Sequence, residues 1–377
     1  MEQCDVVVVG AGIAGASVAS ELAIDHRVLL LEREDAAGYH TTGRSAALFT
    51  PTYGPPQIRA LTRASADFFA QPDSGFCSTP LIRQRDVMMV AREDQLGTLE
   101  HTLAALQRET PVDRLAGYDA EAAQPLLRAG HVAAALMNRD SYDIDVDALH
   151  GAWLRQFRAR GGRTLLGADV VALERRGDTW RVTTSDTEIT APRVVNAAGA
   201  WADELACLAG ARPVGLVPKR RTVAVVAVPE GYAGLHDTPM VIDVDEQFFL
   251  KPEAGRLLVS PADATPSEPC DARPEEYDIA LGIDRVQRAF ALEVRRVESA
   301  WAGLRSFVED GLPVVGEDPD LAGFFWLCGQ GGYGIQTAPA MSWLAAALLR
   351  GEAVPESLLA HGVDALQLSP ARRVARD

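Results

Sequence analysis

The chain has 377 residues, of which 47% are hydrophobic and 23% charged, and its formal net charge is −16. Such a length and composition suit a large globular fold with a substantial core. The acidity excludes a phosphate-neutralising surface for nucleic acid and disfavours adsorption onto an anionic membrane; it serves solubility or, as the sharper alternative, steers a small cationic substrate.

The first predicted element is the strand Asp5–Val9, a β-branched run of the kind buried on both faces of a parallel sheet. The chain runs straight into it, so no secretory leader is expected. The five cysteines, Cys4, Cys77, Cys207, Cys270 and Cys328, are scattered without CxxC spacing. This pattern predicts thiols in a reducing compartment, no metal site and a cytoplasmic protein. A helix over Ala16–Ile24 and a strand over Val28–Leu31 complete a βαβ unit. Between strand and helix lies Gly10-Ala11-Gly12-Ile13-Ala14-Gly15. Its first glycine permits a tight turn, the second admits a pyrophosphate to the backbone, and the third lets the helix pack against the strand. Glu32 ends the second strand, where a carboxylate accepts from ribose hydroxyls and disfavours a 2′-phosphate, so NADP is not expected.

A polar loop, 38–47, follows in place of the second βαβαβ half that a nicotinamide enzyme would complete. Such a loop suits an extended flavin, with a plain surface loop as the alternative. Two later segments read as a separate, mainly antiparallel layer. One spans 81–137; the other spans 221–297, with strands at Thr222–Val228, Val241–Asp243, Phe248–Lys251 and Leu257–Val259. A helix over Asp147–Arg160 leads to a strand at Thr164–Leu166, and a second buried strand is predicted at Arg193–Asn196. The strand Phe324–Cys328, the turn Gly329-Gln330-Gly331-Gly332-Tyr333-Gly334 and a helix over Ile335–Leu349 close the fold. Backbone N–H groups and the helix N-terminus at that turn suit a developing negative charge on a flavin pyrimidine; a structural turn is the alternative. Met341–Leu349 is too short to span a bilayer, and Arg372, Arg373 and Arg376 mark a polar tail. The expected fold is α/β (α+β overall): a Rossmann-like FAD-binding domain, discontinuous over 1–80, 147–220 and 298–377, with an inserted, mainly antiparallel β-sheet substrate domain over 81–146 and 221–297.

The GAGIAG turn with Glu32, the TTGRSAA loop, VNAAGAW at 195–201, WAGLR at 301–305 and GQGGYGIQT at 329–337 together resemble the D-amino-acid oxidase/glycine oxidase superfamily. More narrowly, they resemble the bacterial FAD-dependent D-arginine dehydrogenases, over nearly the whole chain. The resemblance implies oxidation of an α-amino acid to an imino acid by hydride transfer from Cα to flavin N5, with hydrolysis to a keto acid and ammonia. It implies a carboxylate clamp at Arg305 and Arg221, a tyrosine closing over substrate at Tyr53, and Gly332 beside them. No catalytic base is required, since a deprotonated amine can lose hydride without one.

For the cofactor, the resemblance implies contacts from Gly10, Gly12, Ile13, Ala14 and Gly15, then from Glu32 and Arg33. The loop Thr41, Thr42, Gly43, Arg44, Ser45, Ala46, Ala47 and Leu48 follows, then Val170, Ala198, Gly199, Trp201 and Gly303. Last come Gly329, Gly331, Gly332, Tyr333, Gly334, Ile335 and Gln336. The FAD is expected to be non-covalent, because no cysteine lies beside Trp301–Arg305 and Ser306 follows directly. A quinone-type acceptor is favoured over oxygen.

The substrate pocket implied is Leu48, Val87, Met240, Glu246, Phe249 and Tyr333. Three of these depart from the arginine-type pattern. Val87 stands in place of a carboxylate that pairs with the substrate guanidinium, Leu48 in place of a histidine, and Phe249 in place of a tyrosine. An apolar wall does not compensate a buried cation. D-amino acids with apolar or aromatic side chains are therefore expected to be preferred over D-arginine, and Val87→Glu to improve use of D-arginine. Glu246 or Asp243 is the alternative acid for a cationic substrate, while Asp86 faces away on its strand. Other amines, imino acids or 2-hydroxy acids remain alternative substrates, and an FAD-carrying electron-transfer or structural subunit is the alternative of another class.

Overall fold

Consecutive β-branched and leucine runs have no polar face to offer solvent, so they stack in the middle of a layered unit. In the computed structural model, which describes residues 2–232 and 234–372, they build a six-stranded sheet. Its order is Arg163–Leu165, Val28–Leu31, Val6–Val9, Arg193–Asn196, Phe324–Cys328, Val314–Glu317. All neighbours are parallel except the last pair. On one face the helices Ile13–Leu22 and Gly334–Arg350 bury Val18, Leu22, Leu344 and Leu349 against Val6, Val8 and Leu30. The first helix begins at Ile13 rather than Ala16, because the turn delivers the chain straight into helical geometry.

The other face is covered by a four-stranded sheet not expected from the sequence, ordered Glu2–Gln3, Glu188–Ala191, Thr179–Thr184, Val170–Arg176. Trp180, Val182, Ile189 and Ala191 point into the core with Trp326. Their short alternation is the period-two signal of a half-buried strand.

The inserted layer is a nine-stranded sheet. Its main path runs Thr265–Pro266, Val217–Ala227, Arg256–Ser260, Phe249–Glu253, Met240–Asp243, Val87–Ala91, Ala134–Asn138, Asp113–Ala116. Val297–Phe307 pairs antiparallel along Val217–Ala227. Residues 217–220 and 298–307, expected with the nucleotide unit, thus belong to this sheet by hydrogen bonding. Most neighbours are antiparallel; Met240–Asp243 runs parallel to Val87–Ala91. Behind the sheet lies a helix, Glu276–Ala289, in a segment where only strands were expected. It is amphipathic and buries Val286 and Ala289 with Phe290. A small sheet of Leu48–Phe49, Tyr142–Ile144 and Ile82–Gln84 ties the layers together.

Asp145 caps the helix Val146–Ala159 by accepting from the Ala148 N–H at 2.8 Å. At the C-terminal end, Arg372 is no free polar tail: its Nε donates to Asp310 Oδ2 at 2.9 Å. Arg373 and Arg376 lie outside the described residues. Among the described residues, no helix is long and apolar enough to cross a membrane.

Candidate active site

Two adjoining clefts, of about 210 and 170 Å³, share Gly12, Thr41, Thr42, Ala197, Gly199 and Ala200 and so form one bent channel. The second runs along the carboxyl ends of the parallel strands. At Gly10, φ is +102° and a Cβ would lie 2.4 Å from the Ala197 carbonyl oxygen. A Cβ on Gly15 would lie 1.8 Å from the Gly10 oxygen. The turn therefore requires glycine at both positions. Ile13 N–H is taken by Thr42 Oγ1 at 2.9 Å, pinning the polar loop onto the helix N-terminus. Glu32 is buried; its carboxylate accepts the Ala11 N–H at 2.9 Å and the Glu34 N–H at 3.0 Å. Each oxygen retains a lone pair for a hydroxyl donor. His150 completes this floor: its Nε2 bonds the Ala11 carbonyl at 2.9 Å, and burial pushes its pKa below the ordinary histidine range. Trp201, with Arg33 over its ring at 5.0 Å, walls the far end beside His40, whose buried Nδ1 has no partner.

The first cleft ends on the glycine-rich turn. Gly329 and Gly331 have φ of +74° and +56°. Gln336 Oε1 accepts the Thr50 N–H at 3.1 Å, which fixes the amide, and its buried Nε2 is left without a partner at the cleft wall. Gln330 Nε2 is buried and unpartnered in the same wall. Unsatisfied buried donors, a helix N-terminus and a glycine-lined backbone at one end, with a carboxylate that has lone pairs left for hydroxyl donors at the other, fit an extended flavin dinucleotide.

Opposite the turn stands the pocket-facing side of the nine-stranded sheet. Antiparallel pairing aligns Arg221 with Gly303 and Lys219 with Arg305. Strand alternation brings Arg221, Val223, Gly303 and Arg305 to the same face. Arg221 Nε donates to the Asp263 carbonyl at 2.7 Å, and Arg305 Nη1 donates to Tyr53 Oη at 3.3 Å. Among the described residues, neither guanidinium has a carboxylate within ion-pair distance. Burial and the nearby Arg305 charge push Arg221 down to about 10. Two half-buried cations facing one cavity form a site for an anion. A Cβ on Gly332 would lie 2.7 Å from Arg305 Cζ, so glycine there is what lets the guanidinium lie flat against the turn. Tyr333 packs edge-on to Tyr53, ring centroids 5.1 Å apart, and burial raises its phenol above the ordinary tyrosine range.

The rest of this face is apolar: Leu48, Val223, Met240, Ile242 and Phe249. Glu246 stands at its edge, exposed, on a left-handed turn with φ +52°.

Most of the residues implied by the resemblance come together on the channel walls. Four do not reach them. Gly15 and Gly43 serve close packing, Gly43 with its N–H on the Gly38 oxygen at 2.8 Å. Tyr333 lies behind Tyr53. Val87 pairs beside Met240 on the same sheet face, buried with Phe249 one strand further from the arginines. Arg44 lends backbone only, since its guanidinium is held by the Ala272 and Ala302 carbonyls and by Asp271. Asp243 is turned inward, accepting from Gln95 Nε2 and from the N–H groups of Asp245 and Gln247. Asp86 pairs with Arg139 at 3.1 Å. Val223, Ile242 and Gln330 were missed. The first two follow from period-two alternation after Arg221 and Met240; Gln330 carries no such signal.

Residues 5–348 match the family described as FAD dependent oxidoreductase (DAO), and the chain belongs to that family. FAD is its cofactor. FAD-dependent oxidoreductase domain-containing protein 1 of Bos taurus is 27% identical over 98% of this chain and 84% of its own length. Mitochondrial sarcosine dehydrogenase of Mus musculus is 26% identical over 86% of this chain but only 37% of its own length. The crystal structure of glycine oxidase from Geobacillus kaustophilus superposes with a TM-score of 0.83 at 22% identity, covering 97% of this chain and 99% of that one.

Proposed function

We propose that the chain oxidises the Cα–N bond of a D-amino acid with an apolar or aromatic side chain, giving an imino acid that hydrolyses to a 2-keto acid and ammonia. The observation that carries this reading is the pair Arg221 and Arg305, half-buried on the cavity wall with no carboxylate within ion-pair distance among the described residues, at the edge of an apolar sheet face.

Bound FAD supplies the hydride acceptor. Arg305 and Arg221 hold the substrate carboxylate, which fixes Cα relative to the cavity wall and turns a bimolecular encounter into a positioned one. Tyr53 closes over the carboxylate end. Met240, Ile242, Phe249 and Leu48 receive the side chain and exclude water. Glu246 lines the cleft from an exposed position, and among the described residues no other acid lines it; the apolar wall itself offers a distal guanidinium no partner, which disfavours D-arginine. The motifs shared with arginine-type dehydrogenases support a kindred enzyme with an altered pocket, a non-covalently held FAD and a quinone-type acceptor. The free thiols Cys4, Cys77, Cys207 and Cys270 support a reducing compartment such as the cytoplasm. We assign FAD binding to 1–80, 147–220 and 298–377 and substrate binding to 81–146 and 221–297, with the strand Val297–Phe307 serving both.

Anaerobic bleaching of the visible flavin spectrum by D-Phe, D-Leu, D-Met and D-Arg, with their L-forms and glycine, tests the reading. Apolar D-amino acids should give the highest kcat/KM; a higher value for D-Arg overturns the specificity. Stoichiometric hydrogen peroxide would make the enzyme an oxidase. The similarity to sarcosine dehydrogenase supports a second reading, an N-methyl amino acid as donor, which sarcosine in the same panel separates.

A further inference from the structure

One wall of the cavity is neither sheet nor glycine turn: residues 50–55, which carry Tyr53 over Arg305. The base of this loop is tied into the protein. Thr50 N–H donates to Gln336, Asn138 Nδ2 donates to the hydroxyls of Thr50 and Thr52 at 3.3 and 3.1 Å, and Ser141 Oγ donates to Thr50 at 3.0 Å. The tip is held differently. Gly54 has φ +95°, and a Cβ there would meet Ile58 at 2.8 Å and Tyr333 at 2.9 Å. Its carbonyl accepts from Arg59 Nη1 at 2.7 Å. The other arms of Arg59 grip Glu109 bidentately, Nε to Oε2 at 2.9 Å and Nη2 to Oε1 at 2.5 Å, while Arg63 Nη1 reaches the same Oε2 at 2.8 Å.

The partners come from different layers. Arg59 is on the helix Pro56–Ala64, which packs against Gly334–Arg350. Glu109 lies between the helix Leu96–Leu106 and the strand Asp113–Ala116 of the nine-stranded sheet. We propose that Arg59 and Glu109 are positioning residues that hold the Gly54 carbonyl and thereby set Tyr53 in its closed place against Arg305. The proposal rests on the reading that a carboxylate binds beneath Tyr53.

A guanidinium gripped at two corners by a carboxylate has one orientation left, and its third corner is aimed at Gly54. Gly54 follows Tyr53 directly, so a shift of that peptide moves the ring that packs on Tyr333 and accepts from Arg305. Arg59 and Arg63 hold the Glu109 carboxyl down at about 2, so the grip is ionised across the neutral range. Removing it leaves the loop bonded at its base, with its tip held only by the contacts of Tyr53 to Arg305, Tyr333 and the Thr50 carbonyl. Open conformers then dilute the binding-competent form, and apparent affinity falls by the closed fraction.

The test uses the FAD-loaded enzyme and benzoate, a carboxylate that carries no oxidisable amine, titrated through the visible flavin spectrum. Glu109→Gln and Arg59→Lys should each raise the benzoate Kd roughly 5- to 10-fold and speed amide exchange in a peptide covering 50–55. In a Tyr53→Ala background, Glu109→Gln should add nothing further, because the ring it positions is gone. A role in stability alone would lower Tm, leave the Kd within twofold of wild type and make the two losses additive; that result overturns the proposal. Should Glu109→Gln fail to fold, Arg59→Lys, which keeps the cation and loses the fork, carries the same measurements. If benzoate leaves the wild-type spectrum unchanged, the carboxylate reading fails by itself. The positioning role is then decided by exchange at 50–55, and an unaltered rate in both variants overturns it.

Discussion

The two ends of the channel are made of different materials. The dinucleotide end is built from backbone: Gly10 and Gly15 in near contact with neighbouring peptides, and Glu32 with both oxygens on main-chain N–H groups. The substrate end is built from side chains on strands far apart in sequence, where Arg221, Gly303 and Arg305 meet only through antiparallel register. Backbone sites tolerate almost no change at their glycines, whereas a side-chain site can be rebuilt one residue at a time.

Gly15→Ala should break the first end outright. Its Cβ would sit 1.8 Å from the Gly10 oxygen, an overlap that relaxation does not absorb, and the purified protein should lack the FAD absorbance. Gly332→Ala sharpens the contrast, because it should keep the cofactor yet lose the clamp. Displacing Arg305 is expected to lower kcat/KM for the best amino acid roughly 100-fold, the cost of disrupting a charge-paired anion; a value near wild type would show that the guanidinium does not hold the carboxylate. Val87→Glu probes how easily the second end is rebuilt. On the Met240 side of the sheet, a glutamate is long enough to lie along the cavity wall, and kcat/KM for D-Arg relative to D-Leu should rise about 10-fold, with a lower Tm from burying an acid. The smallest effect is expected from pH. Arg221 is pushed down to about 10, so it is charged below that value and loses its proton above it. Benzoate binding should hold steady through neutral pH and weaken as pH rises past about 10.

This division also sets what the sequence could tell. The strands Val28–Leu31, Arg193–Asn196 and Phe324–Cys328 are legible because their apolar runs are too short for a helix and are closed by charged, proline or glycine residues. The Gly10–Gly15 turn is legible because its chemistry is local. The sheet of Val170–Ala191 escaped, since its short strands alternate with charged outer residues such as Glu174 and Arg181. Helix Glu276–Ala289 escaped because it lies in a segment otherwise composed of strands. At the site, the arginines were read through resemblance rather than spacing. Val223 and Ile242 needed only the alternation rule once register was known, and Gln330 needed the fold. Val87 shows the opposite limit: it lies on the same sheet face as Met240, yet a valine there is too short to meet the cavity.

Strand Val297–Phe307 presents Gly303 and Arg305 to the channel, while Met240, Ile242 and Phe249 sit on other strands of the same sheet. In the proposed function, the grip on the carboxylate and the choice of side chain are thus mechanically separate parts. A lineage could exchange one residue per strand, drifting from cationic to oily diets, while the reacting carbon stayed in register with its oxidant.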